Sequence, residues 1–301
     1  MDERINIIKM KELTFKELIN QIYNYSEWNN LKIELFDINN NIIKTDEDVK
    51  KEFKNNQPTF KIILTKKTKI IKNALVIMIA ISEYIDNKKW INLDNIKDID
   101  IKNFKYLFKQ ELNYDFIYNE KSNMDKIDVQ EFMDELFINS KLRRNINNYD
   151  ALIMIISGHG DIGNVLITSE GDKILIDEIQ SLFDCNRMKS FQDFPKIFII
   201  DIFCNDNNIK MKGKDKNNIH NDNGFLTIWS KTKGYQVSNL SLFSETMKNI
   251  ISLKYKNGYS LNQMLKEIQE NIQKKDSDKW YCVQSEDTTD YEIIFQQRKS
   301  M

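Results

Sequence analysis

Two long apolar runs dominate the pattern of hydrophobic and polar positions along this chain. They span 151–156 and 197–200, and further runs occupy 74–81 and 225–230. Runs rich in β-branched residues are typical of strands buried on both faces of a parallel sheet. Because amphipathic segments separate the runs, strands and helices alternate along the chain. This order predicts an α/β domain in which a mostly parallel sheet lies between two layers of helices.

The segments between the apolar runs have the periodicity of surface helices. Apolar residues recur at three- and four-residue spacing, which gives each segment one apolar face to pack on the sheet. The predicted helices of this domain are 101–112, 129–138, 176–183, 241–253 and 261–272.

The first 65 residues predict a separate small unit with a different pattern. After a short strand at 5–10, a helix over 14–28 precedes strands at 31–35, 42–43 and 60–64, and Thr45 is placed to cap a short helix between the last two. One helix laid across a small sheet resembles the β-grasp of ubiquitin-like and PB1-like modules. That resemblance implies a protein-binding α+β domain, and an extension packed on the main domain is the alternative.

The predicted domain boundaries follow from these patterns. Residues 1–65 form the ubiquitin-like interaction domain, and the charged residues of 66–71 predict a linker. The α/β domain then spans 72–298. The polar, Lys- and Asn-rich stretch 205–223 inside it predicts a mobile loop, which divides the domain into 72–204 and 224–298.

Composition excludes several classes of function. The formal net charge is −1 over 301 residues, so charge offers no argument for a nucleic-acid or acidic-membrane partner. The three cysteines are widely spaced, which indicates neither a disulfide framework nor a metal site. No apolar run approaches the length of a membrane span. We therefore expect a cytoplasmic protein without a metal or cofactor.

Reactive side chains follow two of the apolar runs, 151–156 and 197–200. His159 ends the first stretch and Cys204 ends the second. Reacting groups in parallel sheets collect at the carboxyl ends of strands, so both residues fall where a site is expected. A thiol attacks a carbonyl as the thiolate, and a nearby imidazole can take its proton and later protonate the leaving amine.

Together these motifs resemble the cysteine peptidases of the caspase, metacaspase and paracaspase clan (peptidase C14). Ser157-Gly158-His159-Gly160 resembles the family's His-Gly motif. The segment 195–200 resembles the strand that leads to its nucleophile, and 225–235 resembles the opening of its small subunit. The resemblance covers 72–298 and implies a caspase-like three-layer α/β/α fold. No G-x-S-x-G or Gly-rich phosphate loop supports another α/β enzyme.

The resemblance implies a role for each of these residues. His159 would be the base, Cys204 the nucleophile and the N–H of Gly160 part of the oxyanion hole. Proteins or peptides would be the substrates, the N-terminal domain would bind a protein partner, and pairing of sheet edges would allow a homodimer. On this interpretation the chain is an intracellular cysteine endopeptidase.

The position of Cys204 relative to the family's nucleophile suggests an alternative function. Aligned without gaps from Pro195, the family pattern places Phe203 in the nucleophile position and Cys204 one residue late. A slip of one residue turns a side chain to the other face of a sheet, unless a bulge restores its direction. The second hypothesis is therefore a catalytically inactive caspase-like scaffold that works through protein interactions.

Specificity is also expected to differ from that of true caspases. Asp98 and Asp201 match the acidic pocket positions of metacaspases, which implies cleavage after Arg or Lys rather than after Asp. The alternative is that Asp98 caps a helix and that backbone N–H groups satisfy Asp201. We expect His220 to be solvated and both Cys185 and Cys282 to be small core residues.

Overall fold

A computed structural model of the chain describes residues 9–24, 31–55, 57–161, 163–184, 186–204, 224–233, 240–276 and 281–299. The predicted mobile loop 205–223, Cys185, His220 and most of the predicted first strand lie outside these residues. The chain divides into two compact units, one of residues 1–68 with 290–292 and one of residues 69–289 with 293–301.

The first unit packs helix α1 on a small antiparallel sheet. Thr14 precedes α1, and its hydroxyl accepts the N–H of Glu17 at 3.1 Å. Thr45 and Asp48 form a complete capping box at the start of α2, as the sequence predicts. The core consists of Leu18, Ile22, Leu35, Ile43 and Val49. The elements are α1 (Phe15–Asn24), β1 (Leu31–Phe36), β2 (Ile42–Ile43), α2 (Asp46–Glu52) and β3 (Lys61–Ile71).

Strand β3 is longer than the sequence predicts. It continues through 66–71, for which the sequence predicts a linker, so those residues are part of a strand. Lys66 and Lys67 occupy exposed positions and Lys69 a half-buried one, where a charged side chain does not oppose strand formation. The four-stranded sheet has the order β12-β3-β1-β2, in which β12 is Tyr291–Phe295. The last strand thus lies beside β3.

The second unit is built on a large, mostly parallel sheet, as predicted. The strands that pair across it have the order β11-β10-β9-β6-β4-β5, with β7 and β8 attached to β6. All residues of β4 and β9 are buried, as expected for strands covered on both faces. The strands are β4 (Ala74–Ala80), β5 (Asp115–Tyr118), β6 (Ala151–Asp161), β7 (Val165–Ile167), β8 (Lys173–Leu175), β9 (Lys196–Cys204), β10 (Phe225–Lys233) and β11 (Tyr281–Asp287).

The helices of this unit follow the predicted amphipathic segments. Helix α3 (Ile101–Lys105) lies between two π-helical turns, Ile96–Asp100 and Tyr106–Glu111. The other helices are α4 (Lys126–Asn139), α5 (Ile176–Ser181), α6 (Leu242–Lys254) and α7 (Leu261–Lys275). No helix among the described residues is long and apolar enough to cross a membrane.

The pairing of β6 with β9 sets the geometry of the candidate site. The two strands are parallel, and their register runs unbroken from Leu152 opposite Lys196 to Gly160 opposite Cys204. His159 therefore stands opposite Phe203. The bulge that would have redirected Cys204 is absent from this described stretch of β9.

Candidate active site

The His159 imidazole is fully buried at the end of β6 and is held by its surroundings. Its Nε2 lies 2.7 Å from the carbonyl oxygen of Ile91, and its Nδ1 lies 3.4 Å from that of Phe203. The rings of Tyr84 and Trp90 pack on it at centroid distances of 4.7 and 5.4 Å. The Tyr84 hydroxyl also accepts the backbone N–H of His159 at 2.8 Å. Burial lowers the pKa of His159 and favours the neutral ring, while the carbonyl groups of Ile91 and Phe203 act in the opposite direction.

The register of β6 and β9 predicts that Cys204 and His159 point to opposite faces of the sheet. Neighbouring residues in a register pair point to the same face, and successive residues of a strand point to opposite faces. His159 and Phe203 therefore share one face, and Gly160 and Cys204 share the other. Burial raises the pKa of Cys204, while the Lys231 ammonium lowers it and Asp161 raises it. A neutral imidazole and a thiol with a raised pKa are the opposite of an activated pair.

Gly160, the predicted oxyanion-hole residue, has a packing reason to be glycine. A Cβ atom built at this position would lie 2.7 Å from Cδ1 and 3.0 Å from Cβ of Ile202 on β9. Both distances are shorter than van der Waals contact. The close approach of these two strands therefore requires glycine at position 160, whatever its N–H does in a reaction.

A pair of buried carboxyl groups lies on the His159 face of β9. Asp201 is fully buried, and the nearby Asp100 carboxylate is close enough to raise its pKa, although desolvation is the larger cause. Desolvation also raises the pKa of Asp100 to about 6, against hydrogen bonds from Ser244 and Asn95 that favour the charged form. Ser244 Oγ donates to Asp100 at 2.5 Å, and Asn95 Nδ2 donates at 3.0 Å.

The acidic pair is thus Asp100 with Asp201, and the predicted Asp98 is exposed. Asp98 does not cap a helix either, because it lies within the π-helical turn Ile96–Asp100. A signal in the sequence could have identified Asp100. It falls four residues after Ile96 and four before Phe104, both of which are buried, and so belongs to the apolar side of this helical segment.

Hydroxyl groups surround Asp201 on three adjacent strands. Ser157 of β6 and Ser230 of β10 stand on either side of it in the register. Within the described part of the chain, neither oxygen of Asp201 nor the hydroxyl of either serine has a hydrogen-bond partner, although Ser230 is close enough to lower the pKa of Asp201. Buried polar groups are rarely left without partners, so this fully buried row is unusual for the interior of a protein.

Residues that the sequence did not single out also contribute to this region. Tyr84 and Trp90 come from the segment after β4, and no motif marks them. Cys282, expected in the core, is a partly exposed residue of β11.

The large sheet has a histidine and a cysteine at the ends of two adjacent central strands, β6 and β9. A sequence model of the caspase domain family (peptidase C14) matches residues 73–292. This chain belongs to the caspase domain family, whose members are cysteine peptidases.

The fold is also found in a solved caspase structure. The structure of the Drosophila initiator caspase Dronc superposes with a TM-score of 0.57 at 16% sequence identity, over 73% of this chain and 82% of that chain. At this identity the likeness shows the fold alone. No curated protein matches the sequence.

Proposed function

We propose that this chain is a caspase-family protein that binds protein segments without hydrolysing them through Cys204. The observation that carries the proposal is the register of β6 and β9, which puts His159 opposite Phe203 and Cys204 opposite Gly160. A base and a nucleophile on opposite faces of a sheet cannot exchange a proton directly. On this proposal the family fold is kept and the pairing of base and nucleophile that peptide hydrolysis needs is lost.

The ionisation of the two groups supports the proposal. Burial lowers the pKa of His159 and raises the pKa of Cys204. Both shifts favour the uncharged forms, so thiolate and imidazolium would be rare together at neutral pH.

Thiol labelling tests the proposal. Purified protein is treated with a small electrophile between pH 6 and 9, and the sites are mapped by mass spectrometry in wild type and in His159→Ala. We expect Cys204 to react no faster than the partly exposed Cys282, and the His159→Ala change to leave its rate unaltered. Rapid labelling of Cys204 that is lost in His159→Ala would contradict the proposal.

A repositioned thiol supplies the matched control. In the double variant Phe203→Cys/Cys204→Ser the thiol moves to the face of His159 without changing the number of cysteines. We expect the introduced thiol to be labelled at least about ten times faster than Cys204 in wild type, because an imidazole lies on its side of the sheet. Adding His159→Ala should remove the gain.

The acidic pair favours a second candidate, a cysteine endopeptidase that cuts after Arg or Lys. In this candidate a cationic side chain would displace the proton that burial keeps on Asp201, and the Asp100 and Asp201 carboxylates would hold the cation by charge-assisted hydrogen bonds. The same acidic pair also serves the first proposal, because a cationic segment can be bound without being cut.

Two assays separate the candidates. Cleavage of a fluorogenic Arg or Lys substrate that is lost in Cys204→Ser would establish the enzyme. Binding of an uncleavable Arg-containing peptide, unchanged by Cys204→Ser and weakened by Asp201→Asn, would establish the binding protein. A peptide with norleucine in place of Arg is the matched control for charge.

The fold of the N-terminal unit also supports a role in binding a partner protein. Its β-grasp-like arrangement of one helix on a small sheet resembles protein-binding modules, and it forms a compact unit with its own core. We propose that this unit recruits a protein to the caspase-like domain. Removing residues 1–60 should abolish capture of that partner.

A further inference from the structure

A group of cationic side chains lies where strands β6 and β9 begin, at the opposite end of these strands from His159 and Cys204. All of them are exposed. Two 3₁₀ turns, Leu142–Arg144 and Lys189–Phe191, bring them together, because Ser190 Oγ donates to the carbonyl of Leu142 at 2.8 Å. We name this group the basic patch, and its members are Lys141, Arg143, Arg144, Arg187 and Lys189.

The choice of basic residue distinguishes the patch from the rest of the surface. Only five of the 44 basic residues of this chain are arginine, and three of the five belong to the patch. Of the other two, Arg298 is in a structural ion pair with Asp115 at 2.7 Å, and Arg4 lies outside the described residues. Arginine presents a planar fork of donors that matches a carboxylate in a bidentate manner, which lysine does not.

The charge of the patch is not neutralised within the described residues. None of its five members forms an ion pair with a carboxylate there. The Arg187 guanidinium reaches only the hydroxyl of Ser181, at 3.4 Å. The nearby Asp184 carboxylate accepts the backbone N–H groups of Asn186 and Arg187 at 2.9 and 2.7 Å. The cationic groups are therefore available to an external anion.

The loop that carries Arg143 and Arg144 is held in place. The Asn145 side chain accepts the N–H of Tyr149 at 2.9 Å and donates to its carbonyl at 2.7 Å. Lys141 and Asn145 flank the arginines in the left-handed region, with φ of 48° and 45°. Such conformations persist only where the surroundings fix them, and a pre-ordered loop loses less entropy on binding.

We propose that the basic patch binds an acidic segment of a partner protein, a run of Asp or Glu side chains. Of the aromatic residues described nearby, Tyr149 and Phe191 are buried. The partly exposed Phe194 ring packs on Phe191 and has the Lys69 ammonium over it, which leaves little ring surface on which nucleic-acid bases could stack. Ile146 is exposed beside it, a single aliphatic contact that suits a peptide but is too small to anchor a membrane. The position leaves the face of His159 and Asp201 open during binding.

Fluorescence anisotropy with a labelled octaglutamate peptide tests the proposal on the full chain. We expect binding that weakens between 50 and 200 mM NaCl, and no binding of octaglutamine. Arg143→Gln/Arg144→Gln should weaken binding at least about tenfold, and Arg143→Lys/Arg144→Lys should weaken it less. The matched control is Lys50→Gln/Lys51→Gln, which removes two adjacent exposed cations from α2 and should leave binding unchanged.

Each alternative outcome would overturn the proposal. Equal losses in the patch and control variants would mean that overall charge drives binding. Preferential binding of single-stranded RNA or of phosphatidylserine vesicles would assign the patch to another class of partner. Should the arginine variant fail to fold, as judged by circular dichroism, Arg187→Gln/Lys189→Gln is measured in its place with the same expectation. The proposed function is unaffected by a failure here, because its test reads Cys204.

Discussion

At position 160 the side chain has to be a hydrogen atom, because Ile202 of the adjacent strand occupies the space of a Cβ. We expect Gly160→Ala to lower the free energy of unfolding by about 1–3 kcal/mol, the usual cost of forcing extra volume into a packed core. Ile202→Val removes the Cδ1 atom that lies nearest. In the double variant the loss should therefore be smaller than the sum of the single losses, which denaturant unfolding of all four proteins measures.

The buried Asp201 predicts a pH dependence of stability. Its pKa is raised well above 3.8 by desolvation and by Asp100, so folding keeps a proton that the unfolded chain releases. Below pH 3.8 Asp201 is protonated in both the folded and the unfolded chain, so it does not change the free energy of unfolding. As the pH rises from 3.8 toward the pKa of Asp201 in the folded protein, the free energy of unfolding falls. The slope is about 1.4 kcal/mol per pH unit for one such group.

Asp201→Asn tests this dependence, because asparagine keeps the shape and cannot ionise. We expect the variant to gain stability relative to wild type as the pH rises from 4 to 7, measured by urea unfolding at several pH values. Ser157→Ala, beside it in the register, should show the pH profile of wild type. Parallel profiles for wild type and Asp201→Asn would mean that Asp201 is ionised in the folded protein.

Single residues are also where prediction from sequence was least complete. The apolar run before His159 predicts its place at the end of a buried strand, but not the carbonyl of Ile91, which comes from a distant segment without a motif. Asp98 was selected by its place in a family pattern, although the helical spacing puts Asp100 on the buried side. Local sequence gives the face of a helix, and it does not give the neighbour across a tertiary contact.

At the scale of elements, the helix starts that the local sequence predicts best are those with a side-chain N-cap. Asp125 precedes α4 and forms a capping box with Asp128, whose N–H it accepts at 2.7 Å. We expect Asp125→Ala to destabilise the protein by about 1 kcal/mol through loss of this cap. Asp134→Ala, which removes an exposed carboxylate from the middle of the same helix, should change the free energy of unfolding by less than half as much.

The hydrophobic pattern of the sequence predicts some of the strands and misses others. The apolar runs predict β4, β6, β9 and β10, because a strand buried on both faces has nearly continuous hydrophobicity. Strand β11 alternates weakly at the sheet edge, and β7 has only three residues. The lysines of 66–71 suggested a linker, since a charged exposed strand and a linker have the same composition. Edge and surface strands depend on their partners rather than on their own residues.

At the scale of the whole molecule, each of the two units has its own core, and damage to one should stay local. Val49 is fully buried in the first unit, and Val129 is nearly so in the second. We expect Val49→Ala to speed amide hydrogen exchange in peptides from 31–55 and to leave those from 151–161 unchanged, at a cost of about 1–3 kcal/mol. Val129→Ala, the same chemical change, should show the reverse pattern. Uniform acceleration in both variants would indicate a single cooperative unit.

The order of strands in the large sheet has a consequence for how the chain reaches its fold. Strand β6 pairs with β4 and β9, which come from distant parts of the sequence, and β9 in turn pairs with β10. Each of these parallel pairings closes a long loop before its contacts form, so folding should be slow for a domain of this size. On the ribosome, β4 and β6 emerge well before β10. Until then these apolar strands have an open edge, and the nascent chain should depend on chaperones during that interval.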